Sequence, residues 1–151
     1  MKMNCHIISQ ETIIKYILNE FNHLNPLETW GELSFFVNPG MKLKRGKYFA
    51  TLKSKDGEND KASNLNRESV FRLSIGLPPK EYEDIFGSRP PRPVKGGIVE
   101  GDYDFTALNT LTPHPVYGWM GWVAILNPSE TNFERCKYYL NAAYSKALKA
   151  F

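Results

Sequence analysis

Residues 33–37 and 47–53 are two strand-like runs, and the nine residues 38–46, opening with an Asn38-Pro39-Gly40 turn, separate them. A parallel crossover needs roughly a dozen residues or more, usually with a helix inside it. So short a link forces these neighbours to lie antiparallel. Residues 70–75 and 122–126 form two further strand-like runs. Amphipathic stretches near both ends of the chain complete the pattern. The expected class is therefore α+β: a largely antiparallel sheet with N- and C-terminal helices packed on one face.

The helix expectations rest on caps and spacing. Ser9 is a fitting N-cap, with Ile13, Ile14, Ile17, Leu18 and Phe21 on one helical face. Pro26 cannot continue that helix, which is expected to end near His23. Pro78 and Pro79 open a short helix that gathers Tyr82, Ile85 and Phe86 and stops at Gly87. Asp102 is placed to cap a single turn running to Leu108. Pro128-Ser129 starts the last helix, whose buried stripe is Phe133, Cys136, Leu140, Ala143 and Ala147.

Strand alternation assigns faces. Tyr48, Ala50 and Leu52 are expected to point inward with Phe71, Leu73 and Ile75. Phe49, Thr51, Lys53, Val70, Arg72 and Ser74 then fall on the side without helices, joined by Phe36 or Trp122. That basic and aromatic face suits anion contacts and ring stacking, although any half-solvated antiparallel sheet alternates in the same way.

The 151 residues fit a single domain spanning 1–151 with an ordinary core. A content of 42% hydrophobic and 13% aromatic residues sets disorder aside. No apolar run approaches the roughly twenty residues of a membrane span, and residues 1–8 lack the apolar region of a secretory signal. Cys5 and Cys136 read as reduced, partly buried thiols, although a disulfide between them is open; a cytoplasmic location is expected. The net charge of +3 demands no nucleic-acid partner. Its local distribution is less even, because Lys42, Lys44, Arg45, Lys47, Lys53 and Lys55 occur without an intervening acid and create a positive potential.

Known chemistries are largely missing. Asp56, Glu58 and Asp60 imitate the start of a calcium loop, but Lys61 replaces the turn glycine and Arg67 the bidentate glutamate, so a solvated turn is expected. Glu100, Asp102 and Asp104 read as a capping acid with exposed neighbours. His6, His23, His114 and the two cysteines never reach zinc-ligand spacing. There is no nucleophile elbow and no phosphate-binding glycine loop. Arg89-Pro90-Pro91-Arg92-Pro93 has polyproline character and reads as a stiff loop. No metal and no cofactor are expected.

His114 is the leading polar candidate. Pro115 biases it toward extended backbone, and Tyr117, Trp119 and Trp122 follow closely enough to wall a pocket. His114, Tyr117, Trp122, Arg72, Lys53 and Thr51 are thus candidate ligand-binding residues, with no catalytic residue assigned. The ligand class is a small anionic or aromatic molecule, with a protein partner as the alternative. A second reading is DNA binding through Lys42, Lys44, Arg45 and Lys47. A third makes His114 a general base, with Arg72 or Lys53 holding an anion.

Several segments also occur together in a known order: Trp30-Gly31, Phe35-Phe36, the stretches 48–52 and 70–76, Phe86-Gly87, the stretch 104–108, His114-Pro115-Val116-Tyr117, and Gly121-Trp122-Val123 through Asn127-Pro128-Ser129. From about residue 10 to residue 148 the chain resembles the uncharacterised bacterial family catalogued as domain of unknown function 6194, which implies no activity. More loosely, Trp30-Gly31, Lys47-Tyr48-Phe49-Ala50, Trp122-Val123 and Ala143-Tyr144-Ser145 resemble YjbR/MmcQ-like proteins. That resemblance implies a CyaY-like α+β fold, sometimes labelled a double-wing DNA-binding motif, with residues 77–113 largely extra.

Overall fold

The computed structural model describes residues 6–151, so Cys5 and the first part of the 1–8 stretch lie outside the described residues. The order is α1 (Gln10–Glu20), β1 (Leu24–Thr29), β2 (Glu32–Val37), β3 (Lys47–Lys53), β4 (Arg72–Gly76), α2 (Pro79–Phe86), β5 (Thr112–Pro113), β6 (Trp122–Leu126) and α3 (Glu130–Leu148). The strands form one open sheet in the order β1-β2-β3-β4-β6-β5, and every ladder is antiparallel. The expected α+β class is what the structure shows. Among the described residues, no helix is long and apolar enough to cross a membrane.

The helix ends follow local chemistry. Ser9 accepts from the Thr12 backbone N–H at 3.2 Å, and Ser129 caps α3 by accepting from Asn132 at 3.1 Å. Gly87 ends α2 with φ +81°. Asp104, rather than Asp102, caps the turn that follows, accepting from the Thr106 backbone N–H and hydroxyl. Ile13 and Ile17 of α1 are buried, whereas Leu18 is exposed.

α1 stops at Glu20, earlier than expected, because the chain enters β1 at Leu24. Pro26 lies within that strand. Proline cannot donate to a ladder, and β1 tolerates it as an edge strand. Its Leu-Asn-Pro-Leu-Glu-Thr sequence lacks the β-branched alternation that would have revealed it. The β1–β2 turn places Trp30 and Gly31 at φ +56° and +75°, a two-residue hairpin of the type that follows strand twist.

The core lies between the helices and one face of the sheet. Ile13, Ile17, Phe35, Leu52, Leu73, Ile75, Val123, Ile125, Phe133 and Leu140 are among its members, and Tyr82 brings α2 to the same side. Cys136 is buried there as a free thiol, and burial pushes it up to about 12 against the opposing charge of Arg135. It is packing material rather than a nucleophile.

A β-bulge changes the expected faces of β3. Phe35 pairs with Ala50 and Phe36 with Tyr48, leaving Phe49 as the extra residue. Phe49 therefore turns into the core, edge-on to Phe21 and to Tyr144, each ring centroid 5.4 Å away. Tyr48 turns to the opposite face, which reverses the expectation for both residues. Strict alternation fails because it assumes a regular ladder.

Candidate functional site

The helix-free face carries three cross-strand rows. The register aligns Glu32, Lys53 and Arg72, then Ser34, Thr51 and Ser74, then Phe36 and Tyr48. Charges, hydroxyls and aromatic rings thus succeed one another along the strands. Trp122 joins the aromatic row from β6, stacked on Tyr48 with ring centroids 4.9 Å apart and planes 29° apart. The indole reaches Tyr48 by lying across Gly76, where a Cβ would come within 2.7 Å of its ring. Glycine at position 76 is therefore a requirement of this stack.

The face is not the open surface expected from alternation. Arg72 and Ser74 are fully buried, and Thr51, Lys53 and His114 nearly so. The segment between β3 and β4 folds back over them. Its anchor is Asp60, which meets Arg72 through both carboxylate oxygens, Nη1 donating to Oδ1 at 2.9 Å and Nη2 to Oδ2. Arg72 also donates to Ser63 at 3.1 Å and Ser74 at 3.2 Å. Burial alone raises the Asp60 carboxyl, but the hydrogen bonds and charge of Arg72 together outweigh it and hold the group below its usual range. Asp60 is thus a structural counter-ion, not part of a solvated turn. Val70 lies on the side expected of it, packed with Leu65 and with Leu126, the cross-strand partner of Arg72, in a small second cluster under this segment.

Near one corner the cover leaves a cavity of about 220 Å³, lined by Glu32, Ser34, Phe36, Tyr48, Thr51, His114, Tyr117 and Trp122. His114, Tyr117, Trp122 and Thr51 are thereby brought together as the sequence suggested. Arg72 and Lys53 are not in the lining. Arg72 is occupied by Asp60, and the Lys53 ammonium faces Glu32 at 3.9 Å. Glu32, Ser34 and Tyr48 are lining residues that sequence reasoning missed. The alternation Glu32, Ser34, Phe36 along β2 carries the signal, but it identifies a site only once the register sets it opposite Thr51 and Tyr48.

His114 is held by its backbone and by its ring. Its N–H donates to the Trp122 carbonyl at 2.9 Å, and its carbonyl accepts from Gly118 at 2.8 Å. Its Nδ1 accepts from the backbone N–H groups of Val116 at 3.0 Å and Tyr117 at 3.1 Å. An imidazole that accepts at Nδ1 carries its proton on Nε2 when neutral. Burial holds the ring's pKa well below its ordinary value; Arg72 adds to this effect, Asp60 opposes it and Lys53 adds further. His114 is therefore a fixed, uncharged hydrogen-bond donor. Tyr117 sits over it with ring centroids 5.0 Å apart.

Larger hollows follow the proline-rich segment. One of about 620 Å³ is bordered by Glu83, Ser88, Arg89, Pro90, Trp119 and Met120, and another of about 380 Å³ includes Arg92, Val94, Tyr117 and Trp119. Both are more open to solvent than the cavity at His114, and the Arg92 guanidinium is already stacked over Trp119 at 4.8 Å. Size favours these hollows, whereas convergent polar groups favour the smaller cavity. Lys42, Lys44, Arg45 and Lys47 are all exposed on the link entering β3. Among the described residues, no cluster of three or more His, Cys, Asp or Glu side chains is arranged to hold a metal ion.

The chain belongs to the Family of unknown function (DUF6194), whose model matches residues 7–151. No curated protein and no solved structure matches it significantly.

Proposed function

We propose that this family member is a non-enzymatic binding domain that takes up a small planar ligand in the cavity beside His114. The observation that carries the reading is the combination of a Phe36–Tyr48–Trp122 aromatic wall with a hydrogen-bonding lining of Glu32, Ser34, Thr51 and His114. Aromatic walls reward flat rings, and a few placed polar groups fix their orientation. Of the two ligand classes suggested by the sequence, the geometry favours the aromatic one. The anionic one loses its partners, because Arg72 is neutralised by Asp60 and His114 is uncharged.

The enzymatic reading is weaker. A general base needs a free lone pair facing its substrate. His114 has spent its Nδ1 lone pair on two backbone donors, and its Nε2 bears the proton. DNA binding, the reading the YjbR-like resemblance implies, retains the exposed Lys42, Lys44, Arg45 and Lys47 but loses Lys53 and Arg72 to burial and ion pairing.

A thermal-unfolding screen against planar heteroaromatic molecules tests the proposal. A ligand at about one hundred times its Kd stabilises by ~2.7 kcal/mol, or roughly 5–10 °C for a chain of this size. Tyr48→Ala, at a position 42% exposed and thus tolerant of truncation, is expected to abolish the shift while leaving the fold intact. Stabilisation that survives Tyr48→Ala places binding elsewhere, and no stabilisation by any planar ligand defeats the proposal.

A further inference from the structure

We infer that the hollow of about 380 Å³ beside the proline-rich segment is a second binding site, for a small phosphomonoester with an apolar body. The site is independent of the planar-ligand reading, since the two cavities share only Tyr117 among their lining residues.

Charge points to the ligand. Arg92 and Lys95 line this hollow, and no acid lines it with them. Neither is in an ion pair among the described residues. The Arg92 guanidinium lies over the Trp119 ring at 4.8 Å, a contact that consumes none of its five N–H donors. Asn59 also lines the hollow, but its acidic neighbours do not compensate the cations. Asp60 is committed to Arg72, and Glu58 is exposed and outside the lining. The larger hollow across Trp119 differs on this point, because Glu83 lines it together with Arg89.

The backbone holds the two cations in place. The Gly97 N–H donates to the Val94 carbonyl at 2.8 Å, and Gly96 closes that turn at φ +79°. The Val99 N–H then donates to the Pro115 carbonyl at 2.8 Å, which ties the turn to the segment carrying Tyr117. Arg92 and Lys95 stand three positions apart, so their Cα atoms lie at most about 11 Å from each other. Two long side chains at that spacing close on one tetrahedral group.

Two cations without an acid suit a dianion. A phosphomonoester carries nearly two negative charges at neutral pH, its second pKa being about 6. A carboxylate or a sulfate ester carries one charge and leaves one cation uncompensated. Pro93, Val94, Val116 and Tyr117 supply apolar surface, and the volume falls within the range of small-molecule sites, so an organic body accompanies the phosphate.

Isothermal titration of the intact chain with phenyl phosphate, phenyl sulfate and inorganic phosphate tests this. Phenyl phosphate is expected to bind tightest, with phenyl sulfate weaker by roughly threefold or more, the effect of one exposed ion pair. Lowering the pH from about 7.5 to about 5.5 removes the second phosphate charge and should bring phenyl phosphate to the level of the sulfate. Arg92→Gln with Lys95→Gln, at two exposed positions, is expected to abolish binding with the fold intact, whereas Lys42→Gln with Lys44→Gln leaves it unchanged. Tyr48→Ala is expected to remove planar-ligand stabilisation at the His114 cavity and to spare phenyl phosphate, so either reading fails without the other. Equal binding of phosphate and sulfate esters, binding that survives the Arg92 and Lys95 changes, equal loss in both double variants, or no binding of any of the three anions overturns the inference.

Discussion

Arg72 and Asp60 form the most consequential side-chain pair on the helix-free face. A guanidinium with no exposure at all is tolerated only because its donors meet Asp60, Ser63 and Ser74. Arg72→Met strands a largely buried carboxylate and is expected to cost about 3–5 kcal/mol in urea denaturation. Adding Asp60→Leu should recover part of that loss, and strictly additive losses would show the pair to be uncoupled. His114 sets a pH dependence. Its folded pKa lies well below its unfolded value of about 6.5, so the unfolded chain binds more protons at mildly acidic pH. The stability it contributes is fully present above about pH 6.5 and is lost as pH falls toward the folded pKa, by up to ~1.4 kcal/mol per pH unit. Asp60, whose folded pKa is also lowered, adds its loss only below about pH 4. His114→Gln should flatten the slope between pH 6.5 and 5. An unchanged slope would place the titration elsewhere. The sequence pointed to both residues through strand alternation and the Pro115 constraint. It did not reveal that Arg72 is neutralised, because its partner lies on a loop whose acids read as a solvated turn.

Among the elements, those with strong local punctuation were legible. α1 and α3 begin at serine caps, α2 sits between Pro78 and Gly87, and β6 is an uninterrupted apolar run. β1 was hidden by Pro26 and its polar sequence, and β5 by having only two residues. The β3 bulge escaped because an extra residue in a ladder leaves no compositional mark, yet it delivers Tyr48 to the cavity and Phe49 to the core. The aromatic wall depends on a second backbone feature, the bare Cα of Gly76 beneath Trp122. Gly76→Ala is expected to push the indole off Tyr48, costing about 1–3 kcal/mol and weakening the near-ultraviolet circular dichroism of the stack. A variant of native stability with an unchanged spectrum would show that the strand yields instead of the ring.

At the scale of the whole molecule, the two sides of the sheet are buried by different chemistry. Helices cover one side with an apolar core. The β3–β4 segment covers most of the other through the Arg72–Asp60 pair and the small Leu65–Val70–Leu126 cluster. The α+β class followed from short connections and amphipathic ends. The second cover did not, since it depends on one long-range ion pair rather than on any periodic pattern. What remains uncovered is the corner where Glu32, Ser34, Thr51, Tyr48 and Trp122 meet His114. The most direct measurement is a ¹H–¹⁵N NMR titration of the intact chain with a planar heteroaromatic probe such as hypoxanthine. The account predicts that backbone signals of Ser34, Tyr48, Thr51, Val116 and Tyr117 move together and saturate, while those of Lys42, Lys44, Arg45 and Lys47 stay in place. Movement confined to the basic link, or no saturable movement around His114, would contradict it.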